Sequence, residues 1–154
     1  MDKMSAARSN MPVSIVIGNN IAEMAKVVAF VERFGTTHRI PQPIINDLNV
    51  CLDELLNNTL SYGYADKEPH EIIVSLSLVD GVLTAELRDD AMPFDPNQPV
   101  VVAPSGNLKS RTIGGLGLHF VRSLMDEVGY RRVGRYNETK LKKGVRQGAA
   151  DGNC

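Results

Sequence analysis

Three polar clusters in this 154-residue chain combine residue types and spacings that could do chemistry. The first is Asp53-Glu54-Leu55-Leu56-Asn57-Asn58. Glu54 and Asn58 are four residues apart, so on a helix they share one face. A carboxylate and an amide oxygen placed there can hold Mg²⁺, which takes oxygen ligands and keeps part of its water shell. Glu54 can instead orient or deprotonate a hydroxyl, or be a surface-paired acid on a polar helix edge. The second cluster is Arg88-Asp89-Asp90-Ala91-Met92-Pro93-Phe94-Asp95, at the end of a β-rich run. A carboxylate at a strand end can accept a hydrogen bond from an exocyclic amine such as that of adenine. It discriminates between bases because a buried group left unpaired is costly. An acidic turn is the plain alternative.

The third cluster, Gly114-Gly115-Leu116-Gly117-Leu118, runs directly into His119-Phe120-Val121-Arg122-Ser123-Leu124. Its glycines leave the backbone bare where a helix begins, and the first amides of a helix have no internal acceptor and can face a phosphate. It is neither a strand–GxGxxG–helix fingerprint nor a Walker loop, because a long loop precedes it and no Gly-Lys-Ser/Thr follows. Asn107, Lys109, Ser110, Arg111 and Thr112 lie just upstream and supply cations and hydroxyls suited to a triphosphate. His119 reads first as a structural or edge histidine.

These clusters need elements to position them. Val13–Ile17 is a short β-rich run stopped by Gly18, and Asn19 or Asn20 can cap the helix that follows. Ile21, Met24, Val27, Val28, Val31 and Phe34 recur at helical spacing, and Gly35 is expected to end that helix. After Pro41 and Pro43, a second helix is expected over about Ile44–Leu60, with Ile44, Leu48, Cys51, Leu52, Leu55, Leu56 and Leu60 as its apolar stripe. Strands Glu71–Val79 and Val82–Arg88 flank Asp80-Gly81, a strong hairpin signal. Asp89 to about Thr112 has no periodicity, and a loop of that length is usually functional or mobile. A third helix is expected over Leu116–Glu127, then an antiparallel pair around Gly129–Tyr136 and Thr139–Arg146. The order β-α-α-β-β-α-β-β lets helices cover one face of a mixed or antiparallel sheet, an α/β sandwich. The expected domain is 11–147, with flexible tails at 1–10 and 148–154.

The length suits one domain with a real core. A formal net charge of −1 argues against general nucleic-acid binding, which needs a basic field. The charge is uneven: residues 1–108 hold 7 Lys/Arg against 14 Asp/Glu, and residues 109–154 hold 10 against 4. The basic end could face phosphates or an acidic protein, or be an ordinary solvated face. Cys51 and Cys154 lie far apart without metal-ligand company, which fits reduced thiols. No apolar run approaches the roughly 20 residues of a membrane span, and Met1–Arg8 lacks the apolar core of a signal peptide. A soluble cytoplasmic protein is the expectation.

Taken in order, Glu54…Asn58, Asp89…Pro93-Phe94-Asp95 and Gly114–Leu118 resemble the histidine-kinase-like ATPase superfamily of gyrase, heat-shock chaperone, mismatch-repair and sensor-kinase ATP modules. Within it the chain looks most like the small serine-kinase anti-sigma factors that work by partner switching. Gly114–Tyr130 is close to that family's pattern, and Arg135-Tyr136-Asn137-Glu138…Leu141-Lys142-Lys143 resembles its final strand pair. The resemblance covers about Val13 to Lys143. It implies a two-layer α/β sandwich of Bergerat type, with helices on one face of a mixed, mostly antiparallel sheet, binding ATP and Mg²⁺. It implies Asn58 as magnesium ligand (Asn57 less so), Glu54 as catalytic carboxylate and Asp89 as adenine reader. Gly115 and Gly117 become phosphate-loop glycines. Pro93, Lys109, Arg111, Thr112, Gly114, Leu116 and Leu118 become further nucleotide contacts, and residues 95–112 a lid. The implied activity is a serine/threonine protein kinase acting as an anti-sigma regulator. The implied partners are an anti-anti-sigma (STAS-like) protein and an alternative sigma factor, with a possible homodimer. The alternative is a non-catalytic ATP-binding switch that sequesters a partner. One departure is Ala91, where the family usually has glycine; a positive φ there would strain alanine by roughly 1 kcal/mol or more.

Overall fold

A computed structural model describes residues 11–97 and 119–145. The expected tails at 1–10 and 148–154 and the glycine segment therefore lie outside the described residues. The elements are β1 (Val13–Gly18), a 3₁₀ turn (Ile21–Glu23), α1 (Met24–Thr37), α2 (Gln42–Tyr62), β2 (Glu71–Val79), β3 (Val82–Asp89), α3 (119–124), β4 (Glu127–Val133) and β5 (Tyr136–Gly144). The strands form one sheet in the order β1-β2-β3-β5-β4. All four pairings are antiparallel. The helices pack on one face, as the α/β sandwich reading expects.

Alternation along the strands decides which face is covered. Ile72, Val74 and Leu76 of β2, Leu83, Ala85 and Leu87 of β3, and Leu141 of β5 are buried on the helix side. The opposite face is polar and self-paired: Lys140 meets Glu86 at 3.7 Å, Lys142 meets Glu127 at 3.8 Å and Arg131 meets Glu138 at 2.6 Å. Arg131, Lys140 and Lys142 thus belong to an ordinary solvated face. Asp80 and Gly81 both take positive φ, 51° and 75°, which is the type I′ turn that matches strand twist. Gly134, at φ 60°, turns β4 into β5. Tyr136 therefore belongs to the last strand and not to the one before it.

The helices show four departures from the sequence expectations. Gly35 does not end α1; it is buried inside it, and a Cβ there would stand 2.6 Å from Ile45 Cγ1. Its lack of a side chain lets α1 and α2 approach, and the chain turns later, at Arg39 with φ 55°. Neither Asn19 nor Asn20 caps a helix with its side chain. Asn19 instead reaches across the sheet end, accepting from His70 N at 2.9 Å and donating to Glu68 O at 3.2 Å. Pro43 sits in the first turn of α2, where its missing N–H costs nothing, and Ile45, more than Ile44, enters the core. Finally, α3 stops before Met125, and Glu127 opens β4, because Asp126 ties back to β5 through Asp126 N–Lys142 O at 2.8 Å and Gly144 N–Asp126 Oδ2 at 2.7 Å.

Cys51 is buried in the α2 stripe and burial pushes its thiol up to about 12, as suits a core residue and not a reactive one. Gly35→Ala is expected to cost about 1–3 kcal/mol by overpacking the α1–α2 contact. Urea denaturation measures it, and an unchanged midpoint would mean that Ile45 moves aside freely.

Candidate functional site

Helix α2 delivers the first cluster. Leu52, Leu55 and Leu56 face the core, so the residues bordering that stripe sit between core and solvent. Asn57 is committed to its own helix, donating to Asp53 Oδ2 at 3.2 Å. Asn58 is only 6% exposed, and its Nδ2 is buried without a hydrogen-bond partner. A buried amide left unpaired is costly, so its position calls for a ligand or water. The two asparagines are thereby told apart.

Strand β3 delivers the second. Asp89, its last residue, is 5% exposed. Its Oδ1 accepts from Ala91 N at 3.0 Å and from Asn137 Nδ2 at 2.8 Å. Burial raises its pKa; the Asn137 and Ala91 bonds oppose that shift, the neighbouring Asp90 adds to it and Arg132 opposes it. Asp89 is thus a buried, bonded strand-end carboxylate, and Asp90 and Asp95 are also engaged. Asp90 pairs with His70 Nδ1 at 3.0 Å and with Arg135 at 3.3 Å, and Asp95 Oδ1 accepts from Asn97 N at 2.8 Å.

Between α2 and the strand ends lies a cavity of about 150 Å³. Asn58 and Asp89 both line it, with Pro93 on the loop beyond β3. Leu55, Leu87 and Phe94 give it apolar walls, with Thr139 among its few polar groups, the usual make-up of a small-molecule site. Glu54 is half-buried one turn before Asn58 and is not part of the wall. Lys109, Arg111, Thr112, Gly114, Gly115, Leu116, Gly117 and Leu118 lie outside the described residues. His119 is exposed on α3.

Ala91 is not at a positive φ, so the anticipated backbone strain is absent. Its methyl group is buried against Gly63, where a Cβ would come within 2.7 Å of Ala91 Cβ and 2.6 Å of Thr59 O. Met92 N donates to Gly63 O at 2.8 Å, tying the loop to the end of α2. Glycine at 63 thus makes the room that alanine at 91 takes up. Sequence reasoning missed this pair, and it also missed Asn137 and Thr139. The register places Asn137 opposite Asp89 and Thr139 opposite Leu87. An asparagine inside a strand, where it is disfavoured, was the available signal.

His70 closes the outer edge. It stacks on Tyr64 at 4.3 Å, and its Nε2 meets Asp66 at 2.7 Å while Nδ1 meets Asp90. Both ring nitrogens face carboxylates, so the imidazolium is favoured, and the bonds to Asp66 and Asp90 raise the His70 pKa.

A two-layer sandwich with a polar-anchored cavity under its second helix can hold a small molecule. Comparison with known proteins is specific: residues 17–143 match the family model of the histidine kinase-like ATPase domain, and the chain belongs to that family. It is 28% identical over 94 residues to the serine/threonine-protein kinase BtrW of Bordetella bronchiseptica, covering 61% of this chain and 66% of that protein. It is 31% identical over 88 residues to the serine-protein kinase RsbW of Bacillus velezensis, covering 54% and 55%. The matches thus span between about half and two thirds of these curated relatives. Among solved structures, the RsbU and RsbW domains of Rv1364c from Mycobacterium tuberculosis superpose with a TM-score of 0.62 at 19% identity, over 88% of this chain and 32% of that one. The SiaB–SiaC complex of Pseudomonas aeruginosa gives 0.56 at 11% identity, over 94% and 96%. Both likenesses are of fold.

Two outcomes are expected. Gly63→Ala should destabilise the protein by about 1–3 kcal/mol in thermal or urea melts, and adding Ala91→Gly should return part of that loss. A fully additive double variant would mean that the two positions do not touch. For His70, a raised folded pKa means its contribution is complete below its unfolded value near 6.5 and is lost as pH rises through the folded value. The wild-type melting temperature should therefore fall across that window relative to His70→Ala; parallel pH profiles would contradict this.

Proposed function

We propose that this chain is an ATP-dependent serine/threonine protein kinase acting as an anti-sigma regulator in partner switching. The observation that carries the reading is the unpartnered buried amide of Asn58 facing the same cavity as the buried Asp89. Membership of the histidine kinase-like ATPase family and similarity to BtrW and RsbW kinases support it.

The residues fit an adenine nucleotide with magnesium. Asp89 would accept from the exocyclic amine of the base. Asn58 would offer its amide oxygen to the metal, since a half-turn exchanges Nδ2 for Oδ1. Among the described residues no group of three His, Cys, Asp or Glu side chains could hold a metal alone, so Asn58 would act with phosphate oxygens and water, as suits magnesium. Bound ATP supplies the transferable phosphoryl group, and magnesium neutralises its charge. Gly114, Gly115 and Gly117 with Leu116 and Leu118 would present backbone amides to phosphates, while Lys109, Arg111 and Thr112 would balance charge. Glu54 would orient a partner's Ser or Thr hydroxyl and take its proton. The partner in this reading is a STAS-like anti-anti-sigma protein, switched off by the added negative charge, and the other client is an alternative sigma factor in the cytoplasm. Among the described residues no helix is long and apolar enough to cross a membrane.

A non-catalytic ATP-binding switch is the second reading, because Glu54 does not line the cavity. Calorimetry with ATP and Mg²⁺, paired with phosphoryl transfer to STAS-like proteins of the same organism, separates the two. Asn58→Ala is expected to lower magnesium-dependent affinity about 10–100-fold. Glu54→Ala should bind ATP nearly as well as wild type and lose about 10²–10⁴ in transfer rate. Wild type that binds no ATP removes both readings; binding without transfer to any candidate leaves the switch. A homodimer along the outer edge of β1, where Val13 and Val16 are exposed, belongs to the proposal. Light scattering that reports a monomer at micromolar concentration would remove it.

A further inference from the structure

We propose that Asn137 is a positioning residue that fixes the Asp89 carboxylate in the one orientation that can read an amino-purine, an inference that rests on the nucleotide reading above. Asn137 is 4% exposed at the start of β5, directly opposite Asp89 in the β3–β5 ladder. Its Nδ2 serves three acceptors: Asp89 Oδ1 at 2.8 Å, Met92 O at 3.0 Å and Ala91 O at 3.1 Å. Its Oδ1 accepts from Arg132 Nη1 at 3.0 Å and from the Tyr130 hydroxyl.

The amide therefore has only one workable orientation. Turned over, its oxygen would face a carboxylate oxygen and two carbonyls, and its NH₂ would face the Arg132 guanidinium. Asp89 Oδ1 and Ala91 O would each keep one other donor, Ala91 N and Arg132 Nη1, but the Asn137 oxygen would stand against three acceptors in a buried place. Arg132 Nη1 also donates to Ala91 O at 2.8 Å, so the loop beyond β3 is held from the same point. With one oxygen of Asp89 held by Asn137 and by Ala91 N–H, the plane of the carboxylate is fixed and the other oxygen is left to meet a ligand. Asn137 acts on the ligand through Asp89. Fixing an acceptor in advance is what converts a hydrogen bond into selectivity, because a wrong base then meets an oxygen that cannot turn away.

The test compares ADP with inosine diphosphate, which carries a carbonyl oxygen where ADP carries the exocyclic amine. Both are titrated with Mg²⁺ into the full chain by calorimetry. Wild type is expected to prefer ADP by at least about tenfold. In Asn137→Ala the preference should shrink to about threefold or less. Because removing a hub can unfold the site, Asn137→Asp serves as the second variant. It keeps the volume and the acceptor for Arg132 and Tyr130, but sets a carboxylate against Asp89. Its ADP preference should be lost at neutral pH and partly restored in acid, where one proton shared by the pair replaces the missing donor. Circular dichroism melts confirm that each variant is folded. Affinities for the two nucleotides that fall by the same factor in the folded variants, leaving the ratio intact, overturn the inference and make Asn137 merely structural. A wild type that binds both nucleotides equally overturns the base-reading role of Asp89 itself, and the positioning role with it.

Discussion

A carboxylate at the end of a central strand, almost wholly removed from water, has to be given donors by the protein or it will hold a proton and lose its charge. Asp89 is in that position, and much of the site is arranged around supplying those donors. Ala91 N–H comes from the turn that follows β3, and the Asn137 amide comes from the partner strand. Because Asn137 also holds Ala91 O and Met92 O, the group that satisfies the carboxylate is the one that shapes the loop. That loop in turn bonds to the end of α2 through Met92 N and Gly63 O, which sets the cavity's width. One electrostatic requirement thus propagates through β5, the β3 loop and the helix bearing Asn58.

The two layers share the work unequally. The sheet and the α1–α2 pair are held by apolar burial, with Glu32 stitching the helices together through Asn49 Nδ2 at 2.8 Å. Burial of that kind is tolerant in detail but intolerant of volume change. The site end is held by hydrogen bonds and ion pairs, where direction matters and a lost partner leaves a buried group exposed to its full desolvation cost. Stability and recognition are therefore separable on this scaffold, except at Gly63 and Ala91, where a packing contact directly shapes the cavity.

Much of this was legible in the sequence, for stated reasons. The strands β2 and β3 and their turn followed from two-residue alternation and Asp80-Gly81, whose conformation is local. The α2 stripe followed from helical spacing; Asn58 and Asp89, singled out by the family resemblance, both line the cavity. What was not legible depends on distant partners. Gly35 looked like a stop signal because a glycine's helical use is visible only when Ile45 is opposite it. The end of α3 was placed too late because Asp126 and Glu127 are helix-compatible in isolation and are claimed by β5 only in the fold. The consequence of Ala91 could not be judged without Gly63, which lies across the cavity wall. Asn137 stood in a segment that was matched to the last strand pair, but its role needs a register that no local pattern prints.

The bond between Asn137 and Asp89 joins residues 48 positions apart, across a crossover between strands that are neighbours in space but not in sequence. Closing so long a loop is entropically costly and is repaid only once the distant strand docks. The cavity wall therefore depends on the β3–β5 pairing being in place. Any molecule it holds will weigh on the whole native state, raising global stability by RT ln(1 + [L]/Kd). If the proposed nucleotide occupies the cavity, its concentration would then govern how long the protein survives.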